Sequence, residues 1–396
     1  MRDLTQGNIP KQLIIFSIPL IVSDLIQGIL SVVDLLYVGK FLDYNGVASI
    51  SVVLPIVFLL LAVLIGIGAS TNILIAQAFG SKDKNSVVSV ISNSLTITLI
   101  VSLVLGIIGY LASKPILKLL NIPQSIFNEA LTYLQIYIIT MPISALVNWF
   151  MGITRGLGNS RLSFYFSIML LVGKIILTPA FIIGFYIIPP LGVAGSIVST
   201  IFIEIILLTV SLIYTIKKYE ILRESIKLNI SYKIVSKFIM IGIPASVQMI
   251  IISLSATVLM GFISQFGEKA IAVFGIGNRI DQFAFLPALS IGMALTTISS
   301  QNLSANKEER VIEFLKWSIL ISFVISSIVV LIINIFPKQI FLAFSKDQEV
   351  IKMGENYLRI MSISYVLMGI VFSIQGIIRG AGDTLAILMI KTISMI

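Results

Sequence analysis

The sequence predicts an all-α membrane protein built as two six-helix lobes in parallel repeat. Three observations carry that expectation. The 396 residues are 57% hydrophobic and 11% charged, a composition that a soluble globular chain does not have. Apolar runs of the roughly 20 residues that a bilayer core requires recur along the whole chain. The chain also repeats itself at an offset of 224 residues: Tyr133-Leu134 leading to Arg155-Gly156-Leu157-Gly158-Asn159-Ser160 returns as Tyr357-Leu358 leading to Arg379-Gly380-Ala381-Gly382-Asp383-Thr384. The same offset pairs Gly68 with Gly292 and Gln77 with Gln301. Two homologous, almost wholly apolar halves read as a transporter made by duplication.

The apolar runs place helices near 11-38, 47-79, 86-113, 126-154, 161-187 and 191-217 in the first lobe. The second lobe is expected near 233-265, 270-303, 308-337 and 347-378, with an eleventh helix starting at 384. Many runs exceed the bilayer thickness, which implies tilt or protrusion into the headgroups. Polar turns separate them, among them Gly80-Ser81-Lys82-Asp83 and Gly158-Asn159-Ser160. The first lobe is expected over 1-217 and the second over 233-396. Between them, 218-232 reads as an amphipathic linker in the interface, with basic residues among Ile221, Leu222, Ile226, Leu228 and Ile230. Six helices per repeat is an even number, so both halves enter from the same side and are parallel repeats. Twelve helices are expected and about eleven are present. By the offset the second lobe should run to about residue 441, so the sequence reads as an incomplete copy stopping within helix 11.

Charge sets the orientation and excludes several functions. Sixteen Lys and Arg fall at the N-terminus and in the loops after even-numbered helices, against seven on the other side. That bias places the N-terminus in the cytoplasm of a multi-pass plasma-membrane protein. The net charge of +9 is then an orientation signal with attraction to anionic lipid, and calls for no nucleic-acid partner. The first apolar run, 13-38, is too long for a cleavable signal peptide. With no Cys and no His, disulfides, thiolate chemistry, zinc sites and imidazole relays are all unavailable. Proton handling must fall to carboxylates. No nucleophile sits with a base, so the chain is not expected to be an enzyme. Two unequal halves form no closed ring of ligands, which disfavours a channel.

Val32-Val33-Asp34-Leu35-Leu36-Tyr37-Val38-Gly39, Pro55 with Gly66 and Gly68, the paired Arg-Gly-x-Gly turns, Leu191-Gly192-Val193-Ala194-Gly195 and Gly275-Ile276-Gly277-Asn278-Arg279-Ile280 together resemble the multidrug and toxic compound extrusion (MATE) family, of the MOP transporter superfamily. The resemblance covers the whole chain and implies two lobes around a V-shaped cavity. It implies a monomeric secondary-active antiporter with no cofactor. Such a protein exports organic, often cationic or lipophilic, compounds against protons or Na+. The implied alternative is a flippase for lipid or lipid-linked oligosaccharide. In that family an aspartate at the position of Asp34 belongs to the cation site of the first lobe, with an Asn and an Asp four residues apart on helix 5. Here those positions read Lys174 and Thr178, before Pro179. The departure disfavours sodium and favours protons.

Charged side chains at membrane depth cost about 2.5–3.5 kcal/mol each on insertion scales, so they persist where paired or wet. Asp24, Lys174 and Glu204 fall near the midplane and suggest one buried network, with Asp34 nearer the outer rim. Asp34 reads either as a proton carrier or as a static bridge between helices. Asp24 reads as a cavity-facing anchor or second protonatable site, or as a counter-ion of Lys174. Lys174 is expected to stand in place of sodium, paired with Asp34 or Asp24. Glu204 reads as a counter-ion within the lobe or as a substrate ligand. In the second lobe Arg279 and Asp281 point to opposite sides of their helix, about 200° apart, so one should face the cavity with Asn278, Gln248 and Met249. Asp281 would suit a cationic substrate there and Arg279 an anionic one, with structural pairing open for each.

Overall fold

Helices dominate because, in a bilayer, each apolar run must satisfy its own backbone. In a computed structural model, which describes residues 1–42, 44–186 and 189–395, the helices are α1 (Ile9–Phe41), α2 (Tyr44–Gly80), α3 (Lys84–Leu119), α4 (Gln124–Gly156), α5 (Ser160–Ile183), α6 (Gly195–Lys218) and α7 (Glu220–Ser225), then α8 (Tyr232–Ser264), α9 (Glu268–Ser304), α10 (Glu308–Ile335), α11 (Pro337–Leu342), α12 (Gln348–Gly380) and α13 (Thr384–Met395). Ten of these are long and apolar enough to cross a membrane. No strand occurs among the described residues. Helix 5 ends at Ile183, four residues before the sequence-based limit, because Gly184 leaves the helix at φ 88°.

The repeat governs the backbone closely. Helix starts at 44, 84, 124 and 160 return at 268, 308, 348 and 384, each displaced by 224. The left-handed turn residues obey the same rule: Lys82 (φ 59°) matches Asn306 (φ 54°), and Gly158 (φ 76°) matches Gly382 (φ 93°). These turns sit on the face of the bundle that carries the N-terminus, here called the N-terminal face. The helix of the second copy corresponding to α3 breaks at Phe336, where Pro337 cannot continue the backbone ladder and starts the short α11.

Within each half a close backbone contact between helices is also repeated. A Cβ on Gly152 of α4 would lie 2.7 Å from the carbonyl oxygen of Gly68 on α2. The counterpart on Gly376 of α12 would lie 2.4 Å from the carbonyl oxygen of Gly292 on α9. Small residues let these backbones touch where lipid gives no hydrophobic drive for helix association. Gly152→Ala is therefore expected to destabilise the first lobe by about 1–3 kcal/mol, the usual cost of overpacking. Thermal unfolding in detergent measures it, and an unchanged midpoint would refute the contact.

Two helices belong to both halves. The first part of α1 (Ile9, Leu13, Phe16, Leu20) packs on Leu295, Ile298 and Phe314 of α9 and α10. Farther along, α1 packs on α5. Reciprocally, α8 crosses α2, where Gly66 and Gly242 meet closely and the Ser70 hydroxyl donates to the carbonyl of Phe238 at 3.0 Å. The linker is held on α3: Ser92 donates to the carbonyl of Ser225, and the amides of Asn229 and Ser231 donate to Thr96 and Asn93. That satisfies non-helical backbone while Leu228, Ile230 and Tyr232 remain exposed beside Lys227 and Lys233.

Candidate functional site

The polar centre of the first half is an ion pair between α1 and α5. Lys174 Nζ lies 2.5 Å from Asp34 Oδ2, with side-chain exposures of 6% and 36%. Of the two carboxylates left open by the sequence, Asp34 is the one that Lys174 meets. Counted from the ends opposite the N-terminal face, Asp34 is seven residues from Phe41 and Lys174 nine from Ile183, so the two stand at similar depth. The Tyr37 hydroxyl reinforces the contact by donating to the carbonyl of Ile175 at 3.0 Å. Asp34 Oδ1 is buried and accepts no hydrogen bond among the described residues, which leaves that oxygen open to a proton.

Around the pair the other expected residues separate. Thr178 is fully buried and shares a hydrogen bond with Ser199 on α6 at 3.0 Å. Glu204 accepts from Ser144 at 2.8 Å and lies within electrostatic reach of Lys174. Asp24 does not join them. Its Oδ2 accepts from Ser290 Oγ of α9 at 2.5 Å, across the boundary between the halves, with the Arg155 guanidinium within electrostatic reach. The network of Asp24, Lys174 and Glu204 expected from depth along the chain is thus corrected, because depth says nothing about azimuth. Asp24 faces the second half, and Lys174 faces α1 near its far end.

In the second half the cavity assignment is corrected at two positions. Asp281 is 9% exposed, and its two oxygens accept from Tyr357 at 2.5 Å and Tyr365 at 2.6 Å, both on α12. A carboxylate so satisfied is bound within the half and does not line an open cavity. Gln248 is 2% exposed; its amide donates to the carbonyl of Thr384 at 2.9 Å and accepts from Arg379 at 3.5 Å. Arg279 is exposed and Met249 is 39% exposed, while Asn278 is half-buried and accepts from Gln282 at 3.4 Å. Tyr365→Phe removes one donor from a buried carboxylate and is expected to cost about 1–3 kcal/mol; an unaltered melting curve in detergent would contradict this.

By sequence offset Asp34 corresponds to Val258 and Asp281 to Val57, so the acids themselves do not repeat. Their neighbours do. Tyr133 lies within electrostatic reach of Asp34, and its repeat partner Tyr357 holds Asp281. Sequence reasoning missed Ser144 and Ser290, and used Tyr133 and Tyr357 only as markers of the repeat. The available signal for Ser290 was its offset partner Gly66, a small residue at a helix crossing.

Among the described residues no group of acidic side chains is placed to hold a metal ion. Ten helices long and apolar enough to cross a membrane, in two repeated halves with an ion pair inside the first, are the architecture of a membrane transporter. The chain belongs to the MatE family, whose model matches residues 19–180 and 244–396. It is 30% identical to the probable multidrug resistance protein YoeA of Bacillus subtilis over 95% of this chain and 82% of that protein. It is 26% identical to the multidrug export protein MepA of Staphylococcus aureus over 94% of this chain and 82% of that protein. A crystal structure of MATE in complex with MaL6 superimposes with a TM-score of 0.90 at 22% identity, covering 98% of this chain and 86% of that one. The family consists of transporters, not enzymes.

Proposed function

We propose that the chain expels small organic compounds, cationic or lipophilic, across the plasma membrane by antiport against protons. The N-terminal face is cytoplasmic, the working unit is a monomer, and the halves rock so that the space between them opens to one side at a time. The names of YoeA and MepA as multidrug proteins support the substrate class. The bias of Lys and Arg toward the N-terminal face supports the orientation.

The observation that carries the coupling is the ammonium of Lys174 on Asp34. It sits where the family resemblance implies an oxygen ligand, so a fixed cation takes the place of a mobile one. A proton reaching Asp34 from outside neutralises the carboxylate and removes the attraction that ties α1 to α5. Left without its counter-ion at depth, the ammonium is drawn toward Glu204, the other acid within its reach. Because α1 also packs on α9 and α10, loosening its far half alters the packing of one half against the other. Release of the proton inside restores the pair and resets the cycle.

Flipping of lipid or lipid-linked oligosaccharide is the competing reading, and it needs a cationic lining for phosphate. With Lys174 engaged by Asp34, that lining rests on the exposed Arg279. Reconstituted vesicles discriminate the two. Extrusion of an ethidium-type dye without translocation of a fluorescent phospholipid supports the exporter; lipid translocation without dye movement overturns it.

A further inference from the structure

The N-terminal face is closed by contacts that obey the repeat. Gln77 on α2 donates its amide to the carbonyl of Gly380 at the end of α12, at 3.3 Å. Gln301, its partner at offset 224 on α9, donates to the carbonyl of Gly156 at the end of α4, at 2.9 Å. Gly156 and Gly380 are themselves repeat partners. Each half therefore reaches across and occupies a carbonyl at the last turn of the other half's helix, one that the helix leaves unpaired.

A further segment adds to this seal; its offset counterpart, 226–231, is the linker segment held on α3. Residues 2–7 run in extended and bend conformation before α1 and are held by both halves. On the first, the Arg2 amide donates to the carbonyl of Leu157 at 2.9 Å. On the second, the Leu4 amide donates to Gln301 Oε1 at 3.0 Å, and Asn302 donates to the Leu4 carbonyl at 3.2 Å. Lys307 Nζ donates to the carbonyl of Thr5 at 2.8 Å, and Arg310 to that of Gly7 at 3.1 Å. Leu4 is fully buried. Gln301 is thus the junction where the symmetric seal and the strap meet.

We infer that residues 2–7 are a strap which, with Gln77 and Gln301, holds the N-terminal face shut and sets the balance between the two access states of the transport cycle. Opening that face requires the strap to leave one half, and its carbonyls are held by Lys307 and Arg310 of the second half. The side that lets go is the first, which holds the segment by fewer bonds: the Arg2 amide on Leu157 and the N-terminal ammonium on the Tyr219 hydroxyl at 3.2 Å. The inference rests on the alternating-access part of the proposed function and is independent of Asp34 chemistry.

The repeat supplies a matched pair of variants. Gly158 and Gly382 occupy the same left-handed turn, so alanine strains both backbones alike. A Cβ on Gly158 would lie 2.2 Å from the Arg2 carbonyl oxygen, whereas on Gly382 its nearest neighbour is the flexible Gln77 amide at 3.3 Å. Because the chain has no cysteine, spin labels can be attached at Arg161→Cys and Glu309→Cys on the N-terminal face, both exposed. Distances are then read by double electron–electron resonance in lipid nanodiscs. Loss of a backbone contact and its desolvated partner should shift the open-to-closed ratio by about tenfold in Gly158→Ala. Gly382→Ala, which meets only the movable Gln77 side chain, should shift the ratio less than Gly158→Ala does. The variant Lys307→Ala with Arg310→Ala, which removes two half-buried side chains and leaves both turn glycines in place, should shift the same way. Identical distance distributions in the parent and in both strap variants would overturn the inference, as would equal shifts in Gly158→Ala and Gly382→Ala. A dye-transport defect with unchanged distances would count against the strap; altered distances in a chain that moves no dye would count against the proposed substrate class alone.

Discussion

Asp34→Asn is expected to bring gradient-driven dye efflux down to the level of protein-free vesicles while the chain remains folded and inserted. The amide, like the protonated acid, is a neutral and weaker acceptor for the Lys174 ammonium, so the link between α1 and α5 is held in its loosened state while the fold is kept. What disappears is the charge. An amide can neither bind the proton nor release it, so the pair has one state instead of two. Lys174 then remains buried without a formal counter-ion, and some loss of stability accompanies the change; it is smaller than for a fully buried pair because the Asp34 side chain is 36% exposed. Dye accumulation in cells carrying the variant, with its melting curve in detergent, separates the two effects. Efflux equal to that of the parent would refute Asp34 as the proton carrier.

The second large effect is a change of coupling ion. Lys174→Asn with Thr178→Asp supplies the Asn and Asp that the family resemblance implies four residues apart on this helix. It also removes the ammonium that fills the site. With Asp34 unchanged, the three side chains then offer hard oxygen donors to a small cation. The double variant is expected to extrude dye on an inward sodium gradient, whereas the parent is indifferent to sodium. Thr178 is fully buried against Ser199, so Thr178→Asp alone should cost stability, and the carboxylate needs the cation to offset its burial. Sodium should therefore raise the melting temperature of the double variant and leave that of the parent unchanged. No sodium response in either measurement would show that Lys174 does not stand in for the ion.

Much of the fold was legible because its determinants are local or periodic. Apolar runs of spanning length marked the ten long helices, and the offset of 224 residues anticipated helix starts and turn geometry alike. The site was legible in part. Lys174 stood out as an ammonium at membrane depth, and Asp34 as its partner among two. Position along a helix, however, gives depth and not direction, and direction decided the rest. Asp24 turned to Ser290 in the other half, and Asp281 turned inward to Tyr357 and Tyr365. The role of α1 in both halves is a tertiary fact as well: one continuous apolar helix packs first on α9 and α10 and then on α5, and nothing in its composition marks the changeover. Ser290 could be found only after the repeat had been read as a packing register, with Gly66 as its counterpart.

In the proposed mechanism a tethered ammonium stands in place of a mobile cation at Asp34, so that protons and not sodium drive export. Reconstituted vesicles preloaded with an ethidium-type dye, with pH and sodium gradients imposed separately, test it most directly. Dye movement on the pH gradient that is unaffected by sodium is the predicted result. Movement driven by sodium at equal pH on both sides would contradict it.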